Sequence, residues 1–173
     1  GEKKAMVLAG LCGIALLFAM SCVYNQATMP GWHSWGVFIA FLASMCLLGA
    51  SWHGVVLSLR KEGAPVRALG PCLVWAVLGL VLMAASLPLA MPEQSYLVNP
   101  GSRLLPVACI AWSHGLHALG TGLGVVLLAL GVARGMQGKG LKPALAVAAF
   151  ILIALGEVFG RLVFYLSYSR LGM

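Results

Sequence analysis

Charged residues are scarce in this chain of 173 residues, and acidic ones are the scarcest. Only 9% of the residues are charged and four are acidic, whereas 61% are hydrophobic. The mean hydropathy is +0.99. A soluble domain of this size has too little interior to hide so much apolar surface. The composition therefore excludes a soluble globular protein and favours an integral membrane protein.

The motifs of self-contained enzymes and of metal proteins are also missing. The sequence has no Walker loop, dinucleotide fingerprint, nucleophile elbow or HExxH motif. Its five cysteines stand singly within apolar runs and form no CxxC pair or cluster-binding array. We interpret each of them as a small buried apolar residue. No metal site and no catalytic residue is predicted, and any iron–sulfur cluster is expected to belong to a partner.

Five apolar runs are long enough to cross a bilayer as helices. They are continuous rather than alternating, which favours helices over a transmembrane barrel. We predict an all-α fold, a polytopic transmembrane helix bundle that forms a single domain over residues 1–173. The five spans cover about residues 5–24, 36–59, 68–91, 104–132 and 143–168.

The basic residues between the runs predict an orientation. Eight of them fall on one side of the membrane and two on the other, and cytoplasmic connections carry the excess of Lys and Arg. The N-terminus is therefore expected in the cytoplasm and the C-terminus in the periplasm. The eight are Lys3, Lys4, Arg60, Lys61, Arg67, Arg134, Lys139 and Lys142, and the two are Arg103 and Arg170.

The last run carries one acid and one base, Glu157 and Arg161. Because they are four residues apart, they share a helix face and can pair. A charge at the centre of a membrane helix costs about 2.5–3.5 kcal/mol, so we expect this face to look into a bundle. Gly156 and Gly160 repeat the same step and predict close approach of another helix. The pair either fixes helix packing alone or borders a polar cavity, and the sequence leaves both interpretations open.

The connection after the first run is rich in aromatic and hydrogen-bonding residues. Its aromatic side chains suit the membrane–water interface, which is the simpler interpretation. The same mixture of flat apolar surface and polar groups also suits a quinone ring, and His33 would accept a proton when a quinol is oxidised. The candidate quinol-binding residues here are Tyr24, Asn25, Trp32, His33 and Trp35, with Glu157 and Arg161 from the last run.

Three further histidines fall within the spans and raise a haem hypothesis. His114 and His117 share a face of the fourth span, and His53 lies near the cytoplasmic end of the second. The expected depths of the three histidines in the membrane differ, and only His53 and His117 make a loosely plausible pair of haem ligands. Hydrogen bonding within the bundle is the better interpretation of all three.

Two stretches resemble the membrane anchor subunit of dimethyl sulfoxide reductase. One is Val23-Tyr24-Asn25, followed by Pro30, Trp32, Ser34 and Trp35. The other is Gly156-Glu157 with Gly160-Arg161 and then Val163-Phe164-Tyr165. The family's anchor has eight transmembrane helices, so the resemblance implies that this chain is the C-terminal five of eight. The start at Gly1, at the foot of an apolar run, agrees with a piece of a longer protein.

The resemblance implies a role in anaerobic respiration at the bacterial inner membrane. Such anchors hold a molybdenum catalytic subunit and an iron–sulfur subunit, oxidise menaquinol, pass its electrons to the iron–sulfur subunit and generally carry no haem. The chain is then expected to be either a quinol-oxidising or a non-catalytic part of an oxidoreductase complex. Two alternatives stay open, a haem b cytochrome subunit of a similar enzyme and a small transporter that uses the intramembrane ion pair.

Overall fold

The computed structural model describes residues 2–24, 34–60, 66–96 and 107–166. These residues form five helices and no strand, and each helix is long and apolar enough to cross a membrane. The prediction of an all-α, five-span transmembrane bundle is confirmed. The helices are α1 (Glu2–Tyr24), α2 (Trp35–Ser58), α3 (Val66–Tyr96), α4 (Val107–Met136) and α5 (Pro143–Leu166).

The helices differ from the predicted spans mainly in α3. The prediction ended the third span at residue 91, before Pro92, whereas α3 continues to Tyr96. Its strongly apolar part is nevertheless shorter, Arg67–Leu87. Proline within a long helix is tolerated where other groups satisfy the freed backbone carbonyls. Helix length and apolar length therefore need not coincide here.

Helices α2 to α5 form a four-helix ring. Each packs on its neighbour in sequence, and the ring closes where α5 contacts α2. The two most extensive contacts are those of α4 with α5 and of α2 with α3. Among the described residues, α1 packs only against α2, and most of its apolar side chains are exposed. Cys12 and Cys22 are among the exposed residues, so the prediction that each cysteine is buried was wrong for these two. The bundle thus has a packed four-helix centre and one peripheral helix.

Two apolar clusters fill the ring at different heights. Leu47, Leu128 and Ile153 meet near its middle and are fully buried. The second cluster joins Leu57, Leu69 and Val132 near the ends of α2 and α4. Dispersion and close packing hold such contacts, because lipid tails are as apolar as leucine.

Among the residues that the structure describes in α2 to α5 and their connections, five exposed basic residues collect at the end of the bundle marked by the second cluster. They lie at or beyond the C-terminal ends of α2 and α4 and near the starts of α3 and α5. Glu157, the one acidic side chain that the structure describes, lies in the other half of the bundle. We call this set the basic end; its members are Arg60, Arg67, Arg134, Lys139 and Lys142.

The sharp exit from α4 at the basic end requires glycine. Gly138 has a φ of +75°, in the left-handed region that favours glycine. The amide of Gly138 donates to the carbonyl of Gly135, and the amide of Lys139 donates to the carbonyl of Arg134, both at 3.1 Å. This is a Schellman closure, which satisfies the last carbonyls of the helix and turns the backbone toward α5.

Glycines let α4 and α5 approach backbone to backbone. A Cβ added at Gly120 would lie 2.9 Å from the Cα of Gly156, and one at Gly124 would lie 2.9 Å from the carbonyl oxygen of Ala149. A Cβ at Gly156 would lie 2.8 Å from the amide nitrogen of Thr121. The close approach of another helix predicted at Gly156 and Gly160 is confirmed, since α4 contacts both.

Replacing Gly124 by alanine should destabilise the bundle. The new methyl would collide with the backbone of α5 and with Ile153, and overpacking of this kind costs about 1–3 kcal/mol. The matched control is Gly122→Ala on the same helix, where nothing lies within 4 Å of the added methyl. Thermal unfolding in detergent should show a lower midpoint for Gly124→Ala only. Equal midpoints for the two variants would contradict the packing described.

Candidate functional site

A polar network crosses the apolar bundle in the half away from the basic end. Its centre is Glu157 on α5, which is only 8% exposed. Glu157 lies about 21 Å along α5 from Pro143, since a helix rises 1.5 Å per residue. It is therefore within the membrane span and faces protein, as the sequence predicted. A carboxylate at this position is stabilised by partners, because lipid offers none.

Ser44 on α2 joins both charged residues of α5. Its hydroxyl donates to Oε2 of Glu157 and accepts from Nη2 of Arg161 at 2.9 Å. The hydroxyl also lies 3.0 Å from the carbonyl oxygen of Ala40. One hydroxyl proton serves one acceptor at a time, so Ala40 and Glu157 compete for it. The predicted Glu157–Arg161 face is thus tied to α2 by a serine between the two charges.

His117 brings α4 into the same network. Its Nε2 lies 3.5 Å from Oε1 of Glu157. That distance fits an ionic contact but is long for a hydrogen bond, and Nε2 has no hydrogen-bond partner among the described residues. The imidazole lies flat on Gly160, where an added Cβ would be 2.8 Å from Cε1 of the ring. The glycine leaves the space that the ring occupies.

Aromatic rings border the network at Arg161. The Cζ atom of Arg161 lies 4.0 Å from the centroid of the Phe41 ring, which is the geometry of a cation–π contact. Phe41 in turn stacks on Tyr24 at the end of α1, with centroids 5.6 Å apart and planes 27° apart. Helices α1, α2, α4 and α5 therefore all contribute to one site of flat apolar surface and polar groups.

The structure brings together three of the predicted site residues, Tyr24, Glu157 and Arg161. Trp35 begins α2 and is 78% exposed, with no ring contact to the described residues. Asn25, Trp32 and His33 lie outside the described residues. Whether any of the seven candidates binds a quinol stays a prediction.

The histidines proposed as haem ligands lie at different heights. Gly54, next to His53, packs on Leu128 of α4. His117 is about 16 Å further along α4 from that level, by the helical rise. A metal–nitrogen bond is only about 2 Å long, so His53 and His117 do not approach as ligands of one iron. The described residues also contain no group of three or more His, Cys, Asp or Glu that could hold a metal ion.

Sequence reasoning missed Ser44 and Phe41 and left His117 without a partner. Hydroxyls are common in membrane helices and usually bond a carbonyl one turn back, as Ser21, Ser51 and Ser86 do here. Nothing in the sequence sets Ser44 apart from these. For His117 the sequence predicted hydrogen bonding within the bundle; the structure places its ring on Gly160 and its Nε2 3.5 Å from Glu157, with no hydrogen bond to Nε2 among the described residues.

These features define a multi-pass helical membrane protein with a buried polar site shared by four of its helices. Comparison with protein families then makes the assignment specific. Residues 2–166 match the family model of the DMSO reductase anchor subunit (DmsC). The chain therefore belongs to the DMSO reductase anchor subunit family, as the resemblance in the sequence implied.

Two curated relatives from Escherichia coli K12 support the family assignment. The anaerobic dimethyl sulfoxide reductase chain YnfH is 27% identical over 174 residues, and the match includes 99% of the present protein. The C subunit of anaerobic dimethyl sulfoxide reductase is 30% identical over 176 residues, and the match includes 97% of the present protein. In both cases the match spans 58% of the relative's length. No solved structure matches this sequence.

Replacing Ser44 by alanine should destabilise the bundle more than other serine deletions do. The variant removes a donor from Glu157 and an acceptor from Arg161. Neutral interhelical hydrogen bonds in membranes average about 0.6 kcal/mol, but bonds to charged groups are worth about 1.5–3 kcal/mol. The free energy of unfolding in mixed micelles should fall by the larger amount. The control is Ser51→Ala, which removes a buried hydroxyl that bonds only its own helix; a loss as large in the control would contradict the network.

Proposed function

We propose that this protein is part of the membrane anchor of a molybdenum-containing, dimethyl sulfoxide reductase-like complex. In this proposal the anchor oxidises menaquinol and passes the electrons to an iron–sulfur subunit, which delivers them to the molybdenum subunit. The family assignment supports an anchor role. Both curated relatives are named as parts of anaerobic dimethyl sulfoxide reductases, which supports the reaction class.

The observation that carries the quinol-oxidising role is the buried network of His117, Glu157, Ser44 and Arg161. A quinol needs a flat apolar slot, groups that bond its two oxygens, and an acceptor for its protons. The stacked rings of Phe41 and Tyr24 supply flat apolar surface beside the network. His117 Nε2, which has no hydrogen-bond partner among the described residues, is suited to receive a quinol hydroxyl.

The proposed reaction is the two-electron oxidation of menaquinol to menaquinone, with release of two protons. His117 Nε2 is the first proton acceptor, and the nearby Glu157 carboxylate stabilises the imidazolium that forms. Ser44 holds Glu157 in place and Arg161 balances its charge. The protons leave in turn to water at the Arg161 end, and the electrons leave to the docked cluster. The terminal acceptor never contacts this subunit.

The proposal includes an orientation and a place in a larger subunit. The basic end faces the cytoplasm by the positive-inside rule, which puts the network in the periplasmic half of the bacterial inner membrane. The five helices are the C-terminal five of the eight expected for the anchor, in keeping with a match to 58% of each relative. The anchor is proposed to hold no haem, and a reduced visible spectrum of the complex without Soret and α bands would support that.

Glu157→Gln and Arg161→Ala should weaken quinol-driven turnover of the assembled complex. Loss of a positioned proton-transfer group typically costs about 100-fold or more in rate, and either variant disturbs the groups around His117. The measurement compares a menaquinol analogue with a reduced viologen dye that delivers electrons directly to the partner subunits. We expect dye-driven reduction to be retained and quinol-driven reduction to fall.

The amount of partner subunit bound to the membrane is measured as well, because it shows whether a variant impairs assembly of the complex or oxidation of the quinol. Ser51→Ala is the control, since Ser51 lies outside the network. Normal assembly together with normal quinol-driven turnover in both α5 variants would refute the quinol role. Loss of the partners from the membrane would assign the network to assembly alone.

Cysteine labelling should place the basic end in the cytoplasm. Lys139→Cys puts an exposed thiol between α4 and α5, outside the apolar spans. A membrane-impermeant maleimide should label it in inverted membrane vesicles and leave it unlabelled in intact spheroplasts. The parent protein with its own cysteines provides the background. Labelling in spheroplasts would reverse the proposed orientation.

A further inference from the structure

A groove of about 380 Å³ lies between α2 and α3, on a different side of α2 from the polar network. Gly49 and His53 line it from α2, and Pro71 and Trp75 line it from α3. Trp75 is 51% exposed, so the groove opens toward the surroundings of the bundle rather than into its centre. His53 is the one ionisable group other than cysteine in its lining. Such a surface suits a hydrocarbon tail and offers little to a ligand with several polar atoms.

Two arginines of the basic end lie beyond the groove, toward the ends of the helices that line it. Arg60 follows the end of α2, seven residues after His53, and it does not itself line the groove. Arg67 is in the first turn of α3, one turn before Pro71. Both are exposed, and the connection between them, which lies outside the described residues, carries Lys61 and Glu62. The N-terminus of α3 adds its partial positive charge at the same place.

We infer that this groove binds one anionic phospholipid. The acyl tail lies along Gly49 and Trp75, and the phosphate sits at the arginine end between Arg60 and Arg67. Charge complementarity decides in favour of this occupant, because a basic pocket between membrane helices binds anionic headgroups. A quinone would leave both arginines without a partner. The inference does not rest on the proposed function, since the groove and the polar network share no residue.

The test measures lipid retention by the full-length protein with native mass spectrometry in detergent. Phosphatidylglycerol and phosphatidylcholine with identical acyl tails are the probes. The wild type should retain phosphatidylglycerol about tenfold better, given the roughly tenfold effect of one or two basic residues at a lipid surface. Arg60→Gln with Arg67→Gln should abolish that preference. Gly49→Leu should lower retention of both lipids, because its side chain fills the groove.

Two controls keep the result specific to the groove. Nothing lies within 4 Å of an added Cβ at Gly49 or at Gly70, so both positions have room for the first atom of a side chain, but Gly70 does not line the groove. Gly70→Leu should therefore behave as the wild type. Lys139→Gln with Lys142→Gln removes the same charge from the basic end and should keep the preference.

The inference would be overturned if the wild type retained both lipids equally. It would also be overturned if the Lys139 and Lys142 variant lost the preference as fully as the arginine variant, or if Gly49→Leu retained both lipids as well as the wild type does. Displacement of phosphatidylglycerol by a menaquinone analogue at equimolar amounts would also overturn it and assign the groove to the quinone. Thermal midpoints of all variants, measured without added lipid, separate loss of binding from loss of folding.

Discussion

The hydroxyl of Ser44 holds the charged part of this bundle together. It lies between a carboxylate and a guanidinium on one helix face, donating to the first and accepting from the second. Without it, Glu157 would lose a hydrogen-bond donor and Arg161 would lose an acceptor, both inside the membrane span. Because a charge in the hydrocarbon region is expensive, the register of α2 against α5 depends on this contact.

The approach of α4 to the same charges depends on small residues rather than on polar ones. Gly156 lets the backbones of α4 and α5 nearly touch, and this closeness brings His117 within reach of Glu157. The close packing of α4 on α5 therefore forms both the helix interface and this part of the polar site. The aromatic pair Tyr24–Phe41 extends it to α1, which is otherwise only loosely attached.

Much of the fold could be predicted from the sequence, but less of the site. Continuous apolar runs determine where membrane helices lie, so all five helices were predicted. Because a charge exposed to lipid is costly, Glu157 was correctly predicted to face the inside of the bundle. The helix α3 continues beyond the third predicted span to Tyr96, because Pro92 does not stop the helix there. Ser44 and Phe41 could not be predicted, since only the packing of α2 on α5 distinguishes them from similar residues nearby.

Gly160 has a consequence that reaches beyond this one sequence. The ring of His117 occupies the volume that a side chain at position 160 would fill. The two positions therefore behave as a single steric unit, in which one large side chain is allowed and two are not. Among natural variants of this protein, a bulky residue at 160 should be accompanied by a small one at 117, and the two positions should change together during evolution.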